Sequence, residues 1–254
     1  MLCVVGNDEI DKNEKGLIEI DPSIATVLES NEELIAKIYP DIEKLESVEN
    51  SWLCDRAILT PKNEQATEIH SKIIKLIKSE EKNYFSINAG LNDDDKLHYP
   101  TEFLNSLEGP GLPQHELQLK IGAPIMLLRN LNPPTLCNGT RLRIKKMHKN
   151  LIEAEILTGN GAGETVYLPR IMIIPNNYPF QFKRIQFPIK LCYAMTINKA
   201  QGQTFKIAGI DLTCKCFAHG QFYVAYSRVS SPQNLFIFCP NGETENIVYK
   251  EILI

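Results

Sequence analysis

The sequence predicts an α/β protein in which a parallel-sheet layer is interrupted by a small β-barrel and then resumed. Three observations predict it. A short apolar strand runs straight into an amphipathic helix over 57–77. A series of short strands with turns between them occupies 119–174. Three further apolar strands, with a helix before the last, then follow within 189–239. Strand-then-helix reads as half of a βαβ unit, whereas short strands at close spacing read as a barrel or sandwich.

Taken in order, "NEELIAKIY" (31–39) places Leu34, Ile35 and Ile38 on one helical face, and Pro40 ends it. "AIL" at 57–59 is a strand. Thr60 is expected to cap the following helix, with Pro61 in its first turn, and Ala66, Ile69, Ile73, Ile74 and Ile77 recur at helical spacing. Residues 88–116 read as loop, and the triplet Asp93–Asp95 reads as a solvated turn because the Gly and distal Glu of a calcium loop are lacking. "KIGAPIMLLRNL" is strand-like, and "NGT" (138–140) signals a hairpin turn. "RLRIKKM", "LIEAEIL", "ETVYLP" and "IMII" continue the barrel, and "PNNYPFQFKRIQF" reads as a connector. "IKLCYAM" is a buried strand, "IAGIDL" another, "GQFYVAYSRV" a helix and "NLFIF" a last strand.

The totals set limits. At 254 residues with 43% hydrophobic and 23% charged content, the chain can bury a sizeable core. No apolar stretch approaches membrane-spanning length, so no membrane partner is expected. Seven Cys include no C-x-x-C pair, and none stands at zinc-ligand spacing, so no metal is expected and the thiols read as reduced. The net charge of −4 hides an asymmetry. Residues 1–50 carry thirteen Asp/Glu against four Lys/Arg, while 119–200 carry twelve Lys/Arg against three Glu. A basic segment within an acidic chain points to nucleic acid if the cations face outward.

Two stretches carry chemistry. "TINKAQGQT" at the end of a strand offers short hydroxyl and amide side chains, one cation (Lys199) and a glycine (Gly202) that admits close approach, which suits a phosphate backbone gripped without base readout. "GQFYVAYSRV" ends in Ser227 and Arg228 before a Ser-Ser-Pro break. An Arg on a rigid element can reach a phosphoryl group as an arginine finger, or can bind helix-end carbonyls. Tyr193 and Phe205 are candidates for base stacking, with a core position the commoner use of such aromatics.

Together, "YAMTINKAQGQTF" and "GQFYVAYSRV" resemble motifs V and VI of the Pif family of superfamily 1 DNA helicases. "RAILTPKNE" resembles the motif IV region, and "YPTEFLNSLEGPGLPQHELQLKIGAPIMLLRNLNPPTLCNGTRL" resembles the 2B segment and its surroundings. "VYLPRIMIIP" fits the connector that follows, and "VVGNDEI…GLIEID" is similar to the linker of the branch that includes Helitron-borne helicases.

The resemblance implies a second RecA-like domain (2A) over 51–118 and 186–254, with an SH3-like 2B domain and connector inserted at 119–185. Residues 1–50 would be a linker or remnant of a preceding domain. It implies that Arg228 is the arginine finger, and that Gln201, Gly202 and Thr204 couple nucleotide state to DNA grip. It implies DNA contacts from Thr60, Asn63, Thr196, Asn198, Lys199 and Arg141, with Asn138 and Gly139 beside Arg141 in the 2B hairpin turn. Tyr226 stands where the family usually has Leu, and "LTCKCFAHG" replaces a run that usually contains proline. The implied activity is 5′-to-3′ ATP-dependent unwinding in the nucleus, with ATP and Mg²⁺ as cofactors of the full-length enzyme and single-stranded DNA as partner.

No Gly in the chain is followed by Lys, so G-x-x-x-x-G-K-[ST] is lacking. The Asp8–Glu9 pair is separated from its apolar run by Gly6 and Asn7 and does not read as Walker B. The chain alone is therefore expected to bind no nucleotide and to depend on an N-terminal RecA-like domain in cis. Two other readings stay open: a non-enzymatic single-stranded nucleic-acid-binding module, and an inactive transposon-derived remnant.

Overall fold

The computed structural model describes residues 5–6, 10–22, 25–92, 98–240 and 242–249. Asp8, Glu9 and the triplet Asp93–Asp95 lie outside them. Along the chain come β1 (Ile18–Glu19), β2 (Thr26–Leu28), α1 (Asn31–Ile38), α2 (Asn50–Cys54), β3 (Arg56–Thr60), α3 (Asn63–Leu76), β4 (Glu81–Phe85) and β5 (Ile87–Gly90). Then follow α4 (Thr101–Ser106), β6 (Glu116–Lys120), β7 (Pro124–Leu127), β8 (Arg141–Met147), β9 (Leu151–Ile156), β10 (Thr165–Pro169), β11 (Ile171–Ile173) and β12 (Phe182–Gln186). The last are β13 (Ile189–Leu191), β14 (Ala194–Thr196), β15 (Ile207–Asp211), α5 (Gln221–Tyr226), β16 (Leu235–Phe238) and β17 (Glu243–Thr244).

The chain divides into two compact units, one of residues 1–43, 48–76 and 193–254, the other of 44–47 and 77–192. The first is the expected α/β layer. Its five strands run β14-β3-β15-β16-β2, all parallel, which gives the RecA-like sheet. Strands buried on both faces need unbroken apolar sequence, and Ala57, Ile58 and Leu59 are fully buried. Helix α1 begins at Ser30, whose Oγ accepts from Glu33 N at 3.1 Å. It presses Leu34 and Ile38 onto β15 where Gly209 leaves room: a Cβ there would stand 2.9 Å from both side chains. Helix α3 is tied to β14 through His70, whose Nε2 accepts from Ala194 N at 3.0 Å.

The second unit is antiparallel. Five strands run β10-β9-β8-β7-β13, three run β11-β12-β5, and β4 pairs with β6. Its organising residue is Arg184, which is fully buried and, among the described residues, makes no salt bridge to a carboxylate. The guanidinium donates to the carbonyls of Leu104 (2.7 Å), Pro113 (2.8 Å) and Leu107 (3.1 Å), and to Asn88 Oδ1 (2.8 Å). One cation thus saturates loop carbonyls that would otherwise be buried without donors.

Several expectations are corrected. Thr60 is the last residue of β3 and no cap: its Oγ1 donates to Lys62 O at 2.8 Å, and α3 starts only at Asn63. The span 88–116 is not all loop, since β5 ends at Gly90 and α4 lies within it, both held by Arg184. The connector 175–187 contains β12, whose alternate residues Phe182, Arg184 and Gln186 are buried. "IKLCYAM" is two strands in two units, β13 antiparallel to β7 and β14 parallel to β3, with the break at Cys192–Tyr193.

The linker expected over 1–50 instead supplies β2, which pairs with β16, and α1, which covers β15. Residues 77–118, expected in the α/β layer, fall in the second unit because β4 pairs with β6.

Candidate nucleic-acid interface

Parallel strands β3 and β14 end side by side, with Thr60 opposite Thr196 in register. Their following turns bound an open cleft of about 420 Å³ lined by Pro61, Lys62, Asn63, Glu64, Thr196, Asn198 and Phe217. Ligands of open α/β sheets sit beyond the carboxyl ends of the strands, where backbone turns expose polar groups. Four of the sequence-predicted residues meet here. Asn63 and Thr196 line the cleft, Asn198 stands exposed on its wall, and Lys199 follows it on the solvent side. Among the described residues, the side chains of Asn63 and Asn198 make no hydrogen bond within the protein. Thr60 does not reach the cleft, because it is fully buried and its hydroxyl is held by Lys62 O.

The residues expected to couple nucleotide to grip form a tight turn. Gln201 has φ −58° and ψ 129°, Gly202 has φ 80°, and Gln203 N donates to Ala200 O at 3.0 Å. This is a type II turn, which needs positive φ at its third residue. The glycine is required for that angle, and no protein atom lies within 4 Å of where its Cβ would be. Gln201, Gly202 and Thr204 are all exposed.

Arg228 sits at the end of α5 and clamps this turn. Its Nη1 donates to Ala200 O (3.2 Å) and Gln203 O (3.0 Å), its Nε to Val224 O (2.8 Å) and its Nη2 to Ser227 Oγ (2.6 Å). The backbone reinforces the contact, with Phe205 N donating to Arg228 O at 2.8 Å. The guanidinium therefore joins α5 to the 200–203 turn by its own donors. Tyr226, the departure from the family pattern, is buried, and its phenol is pushed up by desolvation.

Arg141 lies in β8 of the second unit, within a run of four buried residues, and is 3% exposed. Half of the twelve cations of the wider basic segment are buried or paired. Lys120, Arg141, Arg143 and Arg184 are buried. Lys120 Nζ donates to Ile77 O, and Arg143 Nη2 to Leu45 O. Lys145 and Lys146 pair with Glu155 and Glu153. Tyr193 and Phe205, weighed as stacking partners, are core at 0% and 2% exposure.

Sequence reasoning missed Lys62, Phe217 and Gln221. Gln221 is 2% exposed, donates from Nε2 to Pro61 O (3.3 Å) and accepts at Oε1 from Phe217 N (2.9 Å). Its signal was a buried amide opening an apolar helix, "GQFYVAY". Among the described residues no group of three or more His, Cys, Asp or Glu could hold a metal ion, and no helix is long and apolar enough to cross a membrane.

Comparisons with known proteins bear on these features. The family model for the 2B domain of DNA helicase Pif1 matches residues 102–147. The human ATP-dependent DNA helicase PIF1 is 36% identical over 123 residues, which is 47% of this chain and 19% of that protein. The Trypanosoma brucei brucei ATP-dependent DNA helicase PIF6 is 28% identical over 193 residues, 71% of this chain and 22% of that protein. The chain thus spans about a fifth of the length of these two relatives. A crystal structure of Pif1 helicase from Bacteroides in complex with ADP-AlF3 and ssDNA shares the fold, with TM-score 0.58 and 20% identity over 89% of this chain and 53% of that one. The chain is thus similar to ATP-dependent DNA helicases of the Pif type, with residues 102–147 matching the model of their 2B domain.

Proposed function

We propose that this chain is the part of a Pif-type 5′-to-3′ ATP-dependent DNA helicase that holds one side of the single-stranded DNA track and delivers the arginine finger. The observation that carries the reading is the polar cleft at the ends of β3 and β14, built from Asn63, Thr196 and Asn198 with Lys62 beside it. These groups suit phosphate and sugar oxygens and read no base edge. Next to the cleft, the turn of Gln201, Gly202 and Thr204 is fastened to Arg228, so movement of the guanidinium is transmitted to the DNA-facing loop. In this reading Arg228 leaves or shares its carbonyls to meet a γ-phosphate bound by a preceding RecA-like domain. ATP and Mg²⁺ belong to that domain, because these 254 residues contain no Gly-Lys pair for a phosphate loop. Phosphoryl transfer needs positioning as well as charge stabilisation, and only the second is present here.

The antiparallel sheet β10-β9-β8-β7-β13 is the SH3-like 2B domain of this reading, and the Helitron-type branch and nuclear location go with it. A purely non-enzymatic nucleic-acid binder is less favoured, because six of the twelve cations of 119–200 on which it would rely are buried or paired with a glutamate.

The test is a pair of measurements on the purified chain. Fluorescence anisotropy with a labelled single-stranded oligonucleotide is expected to show binding that weakens steeply between about 50 and 200 mM salt. No ATP hydrolysis is expected without an ATP-binding RecA-like domain. DNA-dependent hydrolysis by the chain alone, lost in Arg228→Ala, would overturn the reading.

A further inference from the structure

We infer that the cleft also holds a base, stacked on Phe217, so that the site takes a whole nucleotide of an unpaired strand and not only its backbone. The inference rests on reading the cleft as a DNA track and deepens it. Phe217 is 55% exposed, an unfavourable place for a large ring unless something covers it. A single exposed apolar side chain is ordinary on a protein surface. This one differs in being held in place over a polar cleft. It lines the same cleft as Asn63, Thr196 and Asn198. Its backbone is fixed by Gln221, whose buried amide spans from Phe217 N to Pro61 O and so sets the Phe217 loop against the β3 turn.

Gln221 is a positioning residue: it fixes the Phe217 loop relative to the turn after β3. A cleft of about 420 Å³ lined by one aromatic ring and by amide and hydroxyl groups is in the size range of ligand sites. It suits a base on one side and its sugar-phosphate on the other. Stacking on an aromatic ring is tolerant of sequence because every base has a π-face. Lys62 supplies the cation, and Glu64 at the rim disfavours a second phosphate.

The experiment compares two labelled 15-mers, oligo-dT and a strand of the same length in which every residue is an abasic tetrahydrofuran, by anisotropy with the full chain at fixed salt. Wild type is expected to prefer oligo-dT. Phe217→Ala is expected to weaken oligo-dT binding about tenfold, within the range of aromatic–base stacking, and to leave abasic binding unchanged. Phe217→Tyr should restore the preference. Gln221→Met, which keeps volume but loses both hydrogen bonds, should reduce the dT-to-abasic ratio. Equal loss on both probes in Phe217→Ala, or no loss on either, overturns the stacking. If wild type binds neither probe, the DNA-track reading itself fails and the stacking falls with it.

Discussion

Replacing Arg228 by Ala separates what this residue does for the fold from what it does for chemistry. The side chain makes four hydrogen bonds, two to the carbonyls that bracket the Gly202 turn, one to Val224 O and one to Ser227 Oγ. A hydrogen bond from a charged donor contributes about 1.5–3 kcal/mol when buried. Arg228 is only half-buried, so water replaces part of each bond on truncation. Counting about 1 kcal/mol for each of the two turn carbonyls, and less for the helix-end pair, gives a loss of roughly 2–3 kcal/mol. For a chain of this size that is a fall in melting temperature of about 5–10 °C. Thermal unfolding followed by circular dichroism measures it, with urea titration as the equilibrium check. Arg228→Lys should recover less than half, because one ammonium cannot span Ala200 O, Gln203 O and Val224 O together. An Arg228→Ala chain that melts with wild type, or a Lys variant indistinguishable from it, would refute the clamp.

Two further outcomes follow from packing and titration. Gly209→Ala would bring a methyl to 2.9 Å from Leu34 and Ile38 and should cost about 1–3 kcal/mol in urea unfolding, whereas an unchanged midpoint would mean that α1 does not seat on β15. The ring of His115 is held below the ordinary histidine value, first by desolvation and then by the nearby Arg184, while Glu116 acts the other way. In the fold, Nδ1 faces Ser86 Oγ at 2.8 Å, and Asn88 donates to the same oxygen at 2.9 Å. With a depressed folded pKa the unfolded chain binds the proton first. Stability is therefore complete above the unfolded histidine value and declines as pH falls through that value towards the folded one. Melting profiles from pH 7.5 to 5.5 should slope downward with acid, and His115→Gln should flatten them. An equal slope in the variant would assign the effect elsewhere.

The elements that were legible in the sequence are those whose partners lie close in the chain or whose pattern is dictated by burial. Helix α1, the β3–α3 unit, β15, α5 and β16 all stand where apolar periodicity placed them. Gly202 reads from the sequence as a point of close approach, and its role in a turn at positive φ comes only with the backbone angles. Thr196, Asn198 and Asn63 were legible as polar groups at strand ends. The reach of Thr60 and Arg141 was not, because exposure depends on which way a strand is turned and what covers it.

Residue identity alone determined the family's motif order, the lack of a phosphate loop, and the existence of a parallel α/β layer with antiparallel strands within it. These are local: they depend on which residues neighbour each other in the chain. Tertiary structure decided the rest. It split "IKLCYAM" between two units, drew residues 26–28 into the sheet with α1 packed over it, and turned four of the twelve cations of 119–200 inward. It also tied the Phe217 loop to the turn after β3 through a single buried glutamine. A net-charge count cannot foresee any of this, because a cation's partner is chosen by chain segments tens of residues away, and desolvation settles which charges remain for a ligand.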